Sequence, residues 1–282
     1  MKNGECHKTA VLARKARIGE LQSEYKIALA NATNLTDPAL RKQAIADAKD
    51  ELKSGVQDAH DQYLARLDLC EALGGGPYDP AIDPGQFVAG VTNPFFPLVV
   101  GRTLTYVNNP VGDTVTTTAI TNQTKTILGV ACMVVHDTVK VNNVVTEDTL
   151  DYYAQDLAGN VWYFGELSLT FVDGEVASLE GSWTAGVDGA KPGIIMEAAP
   201  AIDDTYRQEF FLGTSEDAAT VLSLTASVTV PYGNFPTCLQ TRDFSPLEPD
   251  ADEHKFYAQG IGVVLEVELS TGERTELTSV TP

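Results

Sequence analysis

The hydrophobic positions of the first 73 residues recur every three or four residues, which is typical of amphipathic helices. In a first stretch, from Glu5 to about Ala32, the repeating apolar residues are Val11, Ile18, Leu21, Tyr25 and Ala28. A second stretch has the same period at Ile45, Ala48, Leu52, Val56, Ala59, Tyr63 and Leu67. Thr36-Asp37-Pro38 supplies an N-cap followed by proline, and Gly74-Gly75-Gly76 ends the second helix. The pattern therefore predicts an antiparallel helical hairpin over residues 1–76, turning at 33–37.

After a proline-rich segment, residues 77–97, which we interpret as a linker, the period changes to two. Strands are predicted over Arg102–Val107, Thr114–Thr121, Cys132–Val141, Val144–Tyr153, Asn160–Glu166, Thr205–Phe211, Val221–Val230, Phe235–Phe244, His254–Ala258, Gly262–Leu269 and Arg274–Val280. Asn142-Asn143, Asp173-Gly174 and Thr271-Gly272 are turn pairs at hairpin positions. Successive strands without intervening helices predict a mainly β fold over 98–282, an antiparallel meander closed as a barrel or half-barrel.

The charge of the chain is concentrated in this β part. The last 209 residues carry 28 Asp and Glu against 8 Lys and Arg, whereas the first 73 carry 11 of each, and the net charge is -20. A field of this sign repels nucleic acid and anionic membranes, and it attracts divalent metal ions, polyamines or basic surfaces. We therefore expect no nucleic-acid partner. The longest apolar runs are too short for a membrane span.

Four cysteines, with no CxxC pair, suggest two disulfides within the protein. Cys6 opens the first predicted helix and Cys70 closes the second, so both lie at the open end of the hairpin, where a disulfide would act as a clasp. Cys132 and Cys238 fall in two predicted strands, and their pairing depends on the strand order. Disulfides are typical of secreted or periplasmic proteins. The residues at the start have no signal-peptide character, so we expect that a signal peptide is absent from this form of the chain.

Three segments support export in another way. They are YAQDLAGNVWYFGE at 153–166, GSWTAGVDG at 181–189 and YAQGIGVV at 257–264. Together with YDPAIDP at 78–84, they resemble segments of a group of exported bacterial proteins of unassigned role. The resemblance covers about residues 78–270, implies export and a single β domain, and brings no reaction with it.

Alternation assigns the faces of the predicted strands. Glu147, Thr149, Asp151 and Tyr153 fall on one face, and the next strand places Asn160, Trp162, Phe164 and Glu166 together. If these faces line a barrel interior, carboxylates and aromatic rings would suit a cationic or sugar-like ligand. The same carboxylates could instead face water outside the barrel.

Other candidate residues complete this hypothesis. Trp183, Tyr206 and Tyr257 would add aromatic walls to the pocket. Arg207 could bind a ligand carboxylate or orient a catalytic glutamate, or it could form a cross-strand ion pair. His254, beside Asp252 and Glu253, could act as a general acid or base, or lie exposed at a strand end. A zinc site would require His136 and His254 to converge with carboxylates.

Calcium is the metal that the acidic composition favours, since it prefers hard oxygen ligands. The candidate ligands are Asp250 and Asp252, or else Asp79 and Asp83, although Lys255 and Ile261 break the EF-hand pattern. Solvated acidic loops are the other interpretation.

The sequence thus predicts an exported acidic β-barrel that binds a small cationic or sugar-like ligand, with a divalent ion as an accessory. Two alternatives stay open. Glu147, Asp151 and Glu166, with His254, could serve a carboxylate-dependent glycoside hydrolase or lyase. Alternatively, the protein is structural and self-associates through its helical hairpin.

Overall fold

Two long helices, α1 (Glu5–Thr33) and α2 (Pro38–Ala72), form an antiparallel pair in the computed structural model, which describes residues 4–282. Asp37 caps α2, since its carboxylate accepts hydrogen bonds from the backbone N–H groups of Ala39 and Leu40. Cys6 and Cys70 form a disulfide, with Cα atoms 5.7 Å apart. The helical hairpin and its clasp are therefore confirmed.

The apolar residues that repeat along each helix are buried or half-buried, and the helices approach closely at one glycine. A side chain at Gly55 would meet the side chain of Leu21. The chain folds into two compact units. The first comprises the residues up to Tyr78 with Pro246–Pro249, and the second comprises 79–245 with 250–282. Among the described residues, no helix is long and apolar enough to cross a membrane.

The second unit is a nearly closed antiparallel barrel, as the period-two pattern predicts. Its strands are β1 (Phe87–Val88), β2 (Thr103–Asn109), β3 (Thr114–Ile127), β4 (Val130–Val141), β5 (Val144–Asp156), β6 (Val161–Val172), β7 (Glu175–Ser178), β8 (Trp183–Thr184), β9 (Lys191–Met196), β10 (Thr205–Arg207), β11 (Glu209–Phe210), β12 (Ala218–Val230), β13 (Gly233–Ser245), β14 (Glu248–Ala258), β15 (Gly262–Glu268) and β16 (Arg274–Thr281). Ten of the eleven predicted strands are present, and the remaining one, predicted over 205–211, is divided into β10 and β11. The strands β1, β7, β8 and β9 are additional.

The strand order shows how the sheet closes. It runs β10-β12-β13-β14-β15-β16-β2-β3-β4-β5-β6-β9-β11, so two meanders join where β16 pairs with β2. β10 pairs with β12 and β11 pairs with β9, which makes residues 205–210 the link between the two edges. Gly193 permits this link, because a Cβ there would overlap the backbone of Gln208.

The proline-rich segment differs from the linker that its composition predicts. Phe87–Val88 pairs with Gln155–Asp156 of β5. Phe95, Phe96 and Leu98 pack against the barrel core. Proline spacing alone did not reveal these apolar anchors, which place residues 79–97 in the second unit.

The second predicted disulfide is wrong, since Cys132 and Cys238 are buried free thiols. Cys132 lies on β4 and Cys238 on β13, and five strands separate them along one direction of the sheet. The two thiols also belong to different hydrophobic clusters.

Candidate functional site

A cavity of about 570 Å³ lies inside the barrel. Its charged lining within the described part of the chain consists of six carboxylates and one ammonium group, from Asp137, Glu147, Asp151, Glu166, Glu253, Glu266 and Lys255. Aromatic and aliphatic residues complete the wall, among them Phe96, Tyr106, Ile120, Tyr153, Tyr257 and Ile261. Its volume lies within the range of about 300–1,000 Å³ that is typical of small-molecule sites.

One strand supplies the largest group of predicted cavity residues. Glu147, Thr149, Asp151 and Tyr153 of β5 all line the cavity. They alternate along an extended strand, so their side chains point to one face, as the period of two requires. Tyr153 is half-buried, and the ring of Phe96 lies edge-on to its ring at a centroid distance of 5.0 Å.

A bulge on β6 brings Glu166 into the same cavity. Tyr153 pairs with Tyr163 and Asp151 pairs with Glu166. Between these two pairs β6 moves three positions along the chain while β5 moves two, so β6 contains one extra residue. Gly165 adopts a φ of 133°, and a Cβ there would overlap the carbonyl of Trp183. The extra residue reverses the alternation at this point. As a result Glu166 faces the cavity, whereas Trp162 and Phe164 pack in a second cluster.

The carboxylates on β4, β5 and β6 form the acidic wall: Asp137, Glu147, Asp151 and Glu166. The pKa of Asp137 is raised to about 6, chiefly by burial and also by Glu147, although a hydrogen bond from Thr118 acts in the opposite direction. Burial raises the pKa of Glu166 to about 7, with Glu147 acting in the same direction. Burial and Asp137 hold the pKa of Asp151 well above its usual value. Ionisation of all four carboxyl groups in one cavity is unfavourable, because the resulting negative charges repel each other.

Hydrogen bonds within the acidic wall are few. The Tyr163 hydroxyl donates to Asp151 at 2.6 Å, and the Thr149 hydroxyl lies 3.0 Å from Glu147 Oε1. Asp151 is only 5% exposed. Asp137 Oδ1 is buried and accepts no hydrogen bond in the described structure. A buried carboxylate oxygen without a donor is costly and favours a ligand that donates one.

The opposite wall contains the lysine of the cavity. Lys255 Nζ lies 3.4 Å from Glu253, 3.7 Å from Asp243 and 3.8 Å from Glu266. Burial opposes the charge of Lys255, but Glu266, Asp243 and Glu253 raise its pKa well above the usual value. This lysine is therefore engaged by three carboxylates, and the acidic wall on β4–β6 retains no comparable cation among the described lining residues.

Several predicted pocket residues lie elsewhere in the β unit. Trp162 is half-buried on the other face of β6, and its indole N–H donates to Asp156 at 2.9 Å. Trp183 packs edge-on against Tyr163, with a centroid distance of 5.4 Å. Tyr206 belongs to the barrel core. Arg207 is buried over the ring of Phe210, at 4.7 Å. None of these four lines the cavity, whereas Tyr153 and Tyr257 do.

The predicted histidine and metal sites are not assembled. His254 Nδ1 is 3.2 Å from Gln240 Nε2, and His136 pairs with Asp148 at 2.9 Å. In the described structure His254 does not line the cavity, because it alternates with the inward residues Glu253 and Lys255. The zinc and catalytic histidine hypotheses therefore lack the required convergence.

The predicted calcium ligands have other partners. Arg242 forms a bidentate ion pair with Asp252. Both oxygens of that carboxylate therefore have a partner other than a metal ion shared with Asp250. Asp79 pairs with Lys191 at 2.8 Å, and Asp83 caps a short 3-10 helix at Pro84–Gln86. Among residues 4–282 no group of three or more His, Cys, Asp or Glu is arranged to hold a metal ion.

Sequence reasoning missed the cavity residues Asp137, Glu253, Lys255 and Glu266. Their signal was present in the strands, since Asp137 alternates with Val135 and Val139, and Glu253 and Lys255 alternate with Tyr257. A charged residue on an otherwise apolar strand face marks an interior polar site, because such burial requires a compensating interaction.

Comparisons with known proteins give little further information. No protein-family model and no curated protein matches the chain. Among solved structures it is similar to one from Parabacteroides distasonis, described as "a putative lipoprotein". That similarity has a TM-score of 0.38 and 12% identity, and it covers 66% of this chain and 98% of the other. The function proposed below therefore rests on the residues of the cavity.

Proposed function

We propose that this protein binds a small organic cation inside the barrel. The observation that carries the proposal is the composition of the cavity, in which the described chain places six carboxylates and a single lysine. An ammonium group can donate hydrogen bonds to several carboxylates at once, and it offsets the repulsion among them.

The aromatic residues of the cavity support the same ligand class. Tyr106, Tyr153 and Tyr257 line the wall near the carboxylates. The faces of aromatic rings attract cations, and this attraction strengthens when water is excluded. A sugar could also stack on these rings, but it would leave the negative charge of the acidic wall uncompensated.

Isothermal titration tests the proposal directly. The full chain, dialysed first against a chelator, is titrated at pH 8 with 2-phenylethylamine, 1,4-diaminobutane and choline, and separately with glucose and calcium chloride. We expect saturable heat with at least one amine. Glu166→Gln should weaken amine binding at least tenfold, whereas Glu175→Gln, at an exposed position outside the cavity, should leave it unchanged.

Absence of heat with every amine, from protein whose thermal unfolding is cooperative, would overturn the proposal. Binding of calcium alone would indicate a metal-ion site, and binding of glucose alone would indicate a sugar site, in place of a site for an organic cation. Equal loss in Glu166→Gln and Glu175→Gln would show that the heat does not arise in the cavity.

A second candidate, hydrolysis of a glycoside, is favoured by one observation. Asp151 and Glu166 face each other across β5 and β6, and burial raises the pKa of Glu166 to about 7, which suits a general acid. Chromogenic aryl glycosides distinguish the two functions. Turnover that Glu166→Gln abolishes would favour hydrolysis, whereas binding without turnover would favour the cation site.

Export to an oxidising compartment belongs to the same proposal. The Cys6–Cys70 disulfide supports it, because disulfides persist mainly outside the cytosol. A fusion of the chain to a periplasmic signal peptide should yield oxidised protein, which migrates faster on a non-reducing gel than the Cys6→Ser, Cys70→Ser variant. Identical migration of the two proteins would contradict this part of the proposal.

A further inference from the structure

The two ends of the barrel cavity have different chemistry. Residues 94–102 lie at one end, which we call the loop end. There Gly260 N–H donates to Pro94 O at 2.8 Å, and Gly101 N–H donates to Ile120 O at 2.9 Å. The tight turns at 142–143 and 173–174 lie at the other end, which we call the hairpin end, because β3 to β6 run alternately between the two.

The inward residues change from apolar to charged along the strands in the same direction. On β4 the residue nearer the loop end is Val135, and Asp137 follows toward the hairpin end. On β5 the order from the loop end is Tyr153, Asp151 and then Glu147. Two strands of the acidic wall therefore share one gradient.

The opposite wall repeats the gradient. On β14 the order from the loop end is Tyr257, Lys255 and Glu253, and on β15 Gly262 and Val263 precede Glu266. On β3, Ile120 precedes two threonines, Thr118 and Thr116. Val139, on β4 beyond Asp137, is an apolar exception near the hairpin end.

At the loop end the cavity is lined by apolar side chains from outside the main strands. Phe96 and Leu98 line the cavity there, together with Ile261 from the turn between β14 and β15. The ring of Phe96 packs on that of Tyr153. A charged ligand group at this end would lose its water among mainly apolar side chains, which is unfavourable.

We infer that the ligand is an amphipathic monoamine, whose apolar or aromatic body packs at the loop end beside Phe96 and whose ammonium group lies between the carboxylates. This inference rests on the proposed function and specifies its ligand class. Strand residues two apart lie about 7 Å from each other, so a body of one ring and two carbon atoms spans the distance from the apolar level to the acidic level. A diamine would place a second charge against apolar residues.

Isothermal titration at pH 8 with three probes distinguishes the contribution of the ammonium charge to binding from that of the apolar body. The probes are 2-phenylethylamine, which has both, 1,4-diaminobutane, which has charge alone, and 2-phenylethanol, which has the ring alone. We expect 2-phenylethylamine to bind at least tenfold more tightly than either of the other two. Phe96→Ala should weaken 2-phenylethylamine at least fivefold and leave 1,4-diaminobutane within twofold.

Phe96→Leu provides a second variant that keeps an apolar side chain, in case the alanine variant is too unstable. If both variants fold, Phe96→Leu should lower the affinity for 2-phenylethylamine by a smaller factor than Phe96→Ala. If only Phe96→Leu folds, it should lower this affinity at least twofold. Binding of 1,4-diaminobutane as tightly as 2-phenylethylamine would overturn this inference and leave the proposed function standing. Equal effects of the Phe96 variants on both amines would do the same. Failure of both amines to bind would remove the proposed function itself.

Discussion

Asp151 of β5 and Glu166 of β6 lie directly opposite each other and face the same cavity. Like charges at opposed positions of an antiparallel pair are destabilising, and here burial adds to the cost. An arrangement of this kind is stable when protons or a bound cation reduce the repulsion. The pair therefore connects the stability of the barrel with the binding of a positively charged ligand.

The free energy of unfolding should fall as the pH rises from about 4.5 to about 7. Glu166 has a pKa near 7 in the folded protein and about 4.3 when unfolded, so the folded state binds more protons in this window. The loss from Glu166 should be on the order of 2 kcal/mol, and it should level off at higher pH.

Urea unfolding at pH 5.5, 6.5, 7.5 and 8.5, followed by tryptophan fluorescence, measures this dependence. Glu166→Gln should reduce the slope, because glutamine does not titrate, and Asp137 and Asp151, whose pKa values burial also raises, should account for the slope that remains. Glu175→Gln changes the same atoms at an exposed position and should keep the wild-type slope. A wild-type slope in the Glu166 variant would show that the proton uptake arises elsewhere.

The affinity for an amine should increase with pH over the same range. Asp137 and Glu166, with pKa values of about 6 and 7, are largely protonated at pH 5.5 and ionised at pH 8, while a primary amine stays charged throughout. We expect the Kd of 2-phenylethylamine to decrease at least tenfold between pH 5.5 and pH 8. An affinity independent of pH would argue against carboxylates as the cation ligands.

Gly165→Ala should disrupt the bulge that turns Glu166 inward. The φ of 133° disfavours any side chain, and the added methyl group would overlap the Trp183 carbonyl. We expect a loss of about 2 kcal/mol or more in the free energy of unfolding, together with weaker amine binding. Gly233→Ala is the matched control, because a Cβ at that position in β13 meets open space. Equal stability of both variants in urea unfolding would contradict this role of Gly165.

Lys255→Gln should destabilise the barrel and raise its affinity for amines. The substitution removes the cation that lies within 4.0 Å of Glu253, Asp243 and Glu266, so the loss should be about 1–3 kcal/mol. The same carboxylates then become available to a ligand. Thermal unfolding and titration with 2-phenylethylamine measure both effects, and Lys140→Gln, at an exposed position, serves as the control. Unchanged stability would indicate that Lys255 does not compensate these charges.

Loss of the Cys6–Cys70 disulfide should destabilise the helical unit. The bridge closes a loop with a sequence separation of 64, for which the chain-entropy model gives about 4 kcal/mol. The Cys6→Ser, Cys70→Ser variant should therefore lose helical circular dichroism at a lower temperature than wild type. Cys132→Ser removes a thiol without a bridge and should not change the response of the helical signal to a reductant. If the helical signal is lost at the same temperature with and without the bridge, the disulfide does not stabilise the helical unit.

Local signals in the sequence predicted much of this structure. The N-cap at Asp37 and the proline at position 38 specify the start of α2 through contacts within one turn, so they can be read from neighbouring residues. The same holds for Asn142 and Asn143, whose positive φ values suit a tight hairpin turn. The inward face of β5 also followed from alternation alone.

Features that depend on distant strands could not be predicted in this way. The bulge at Gly165 inverts the alternation between Trp162 and Glu166, and it requires the backbone of Trp183 to approach closely. Alternation therefore predicts one face for Trp162 and Glu166, whereas the two residues lie on opposite faces. The fate of Cys132 and Cys238 depended on strand order, which is set by packing between segments about a hundred residues apart.

The pairing of β16 with β2 has a consequence for how the protein is made. Residues 274–281 of β16 complete the hydrogen bonding of residues 103–109 of β2. The pairing of β2 is therefore incomplete until β16 has been synthesised. Until residue 281 has emerged from the ribosome, β2 has an unpaired edge. The barrel can therefore close only after residues 274–281 have been synthesised, so its closure depends on contacts between segments that are far apart in the chain.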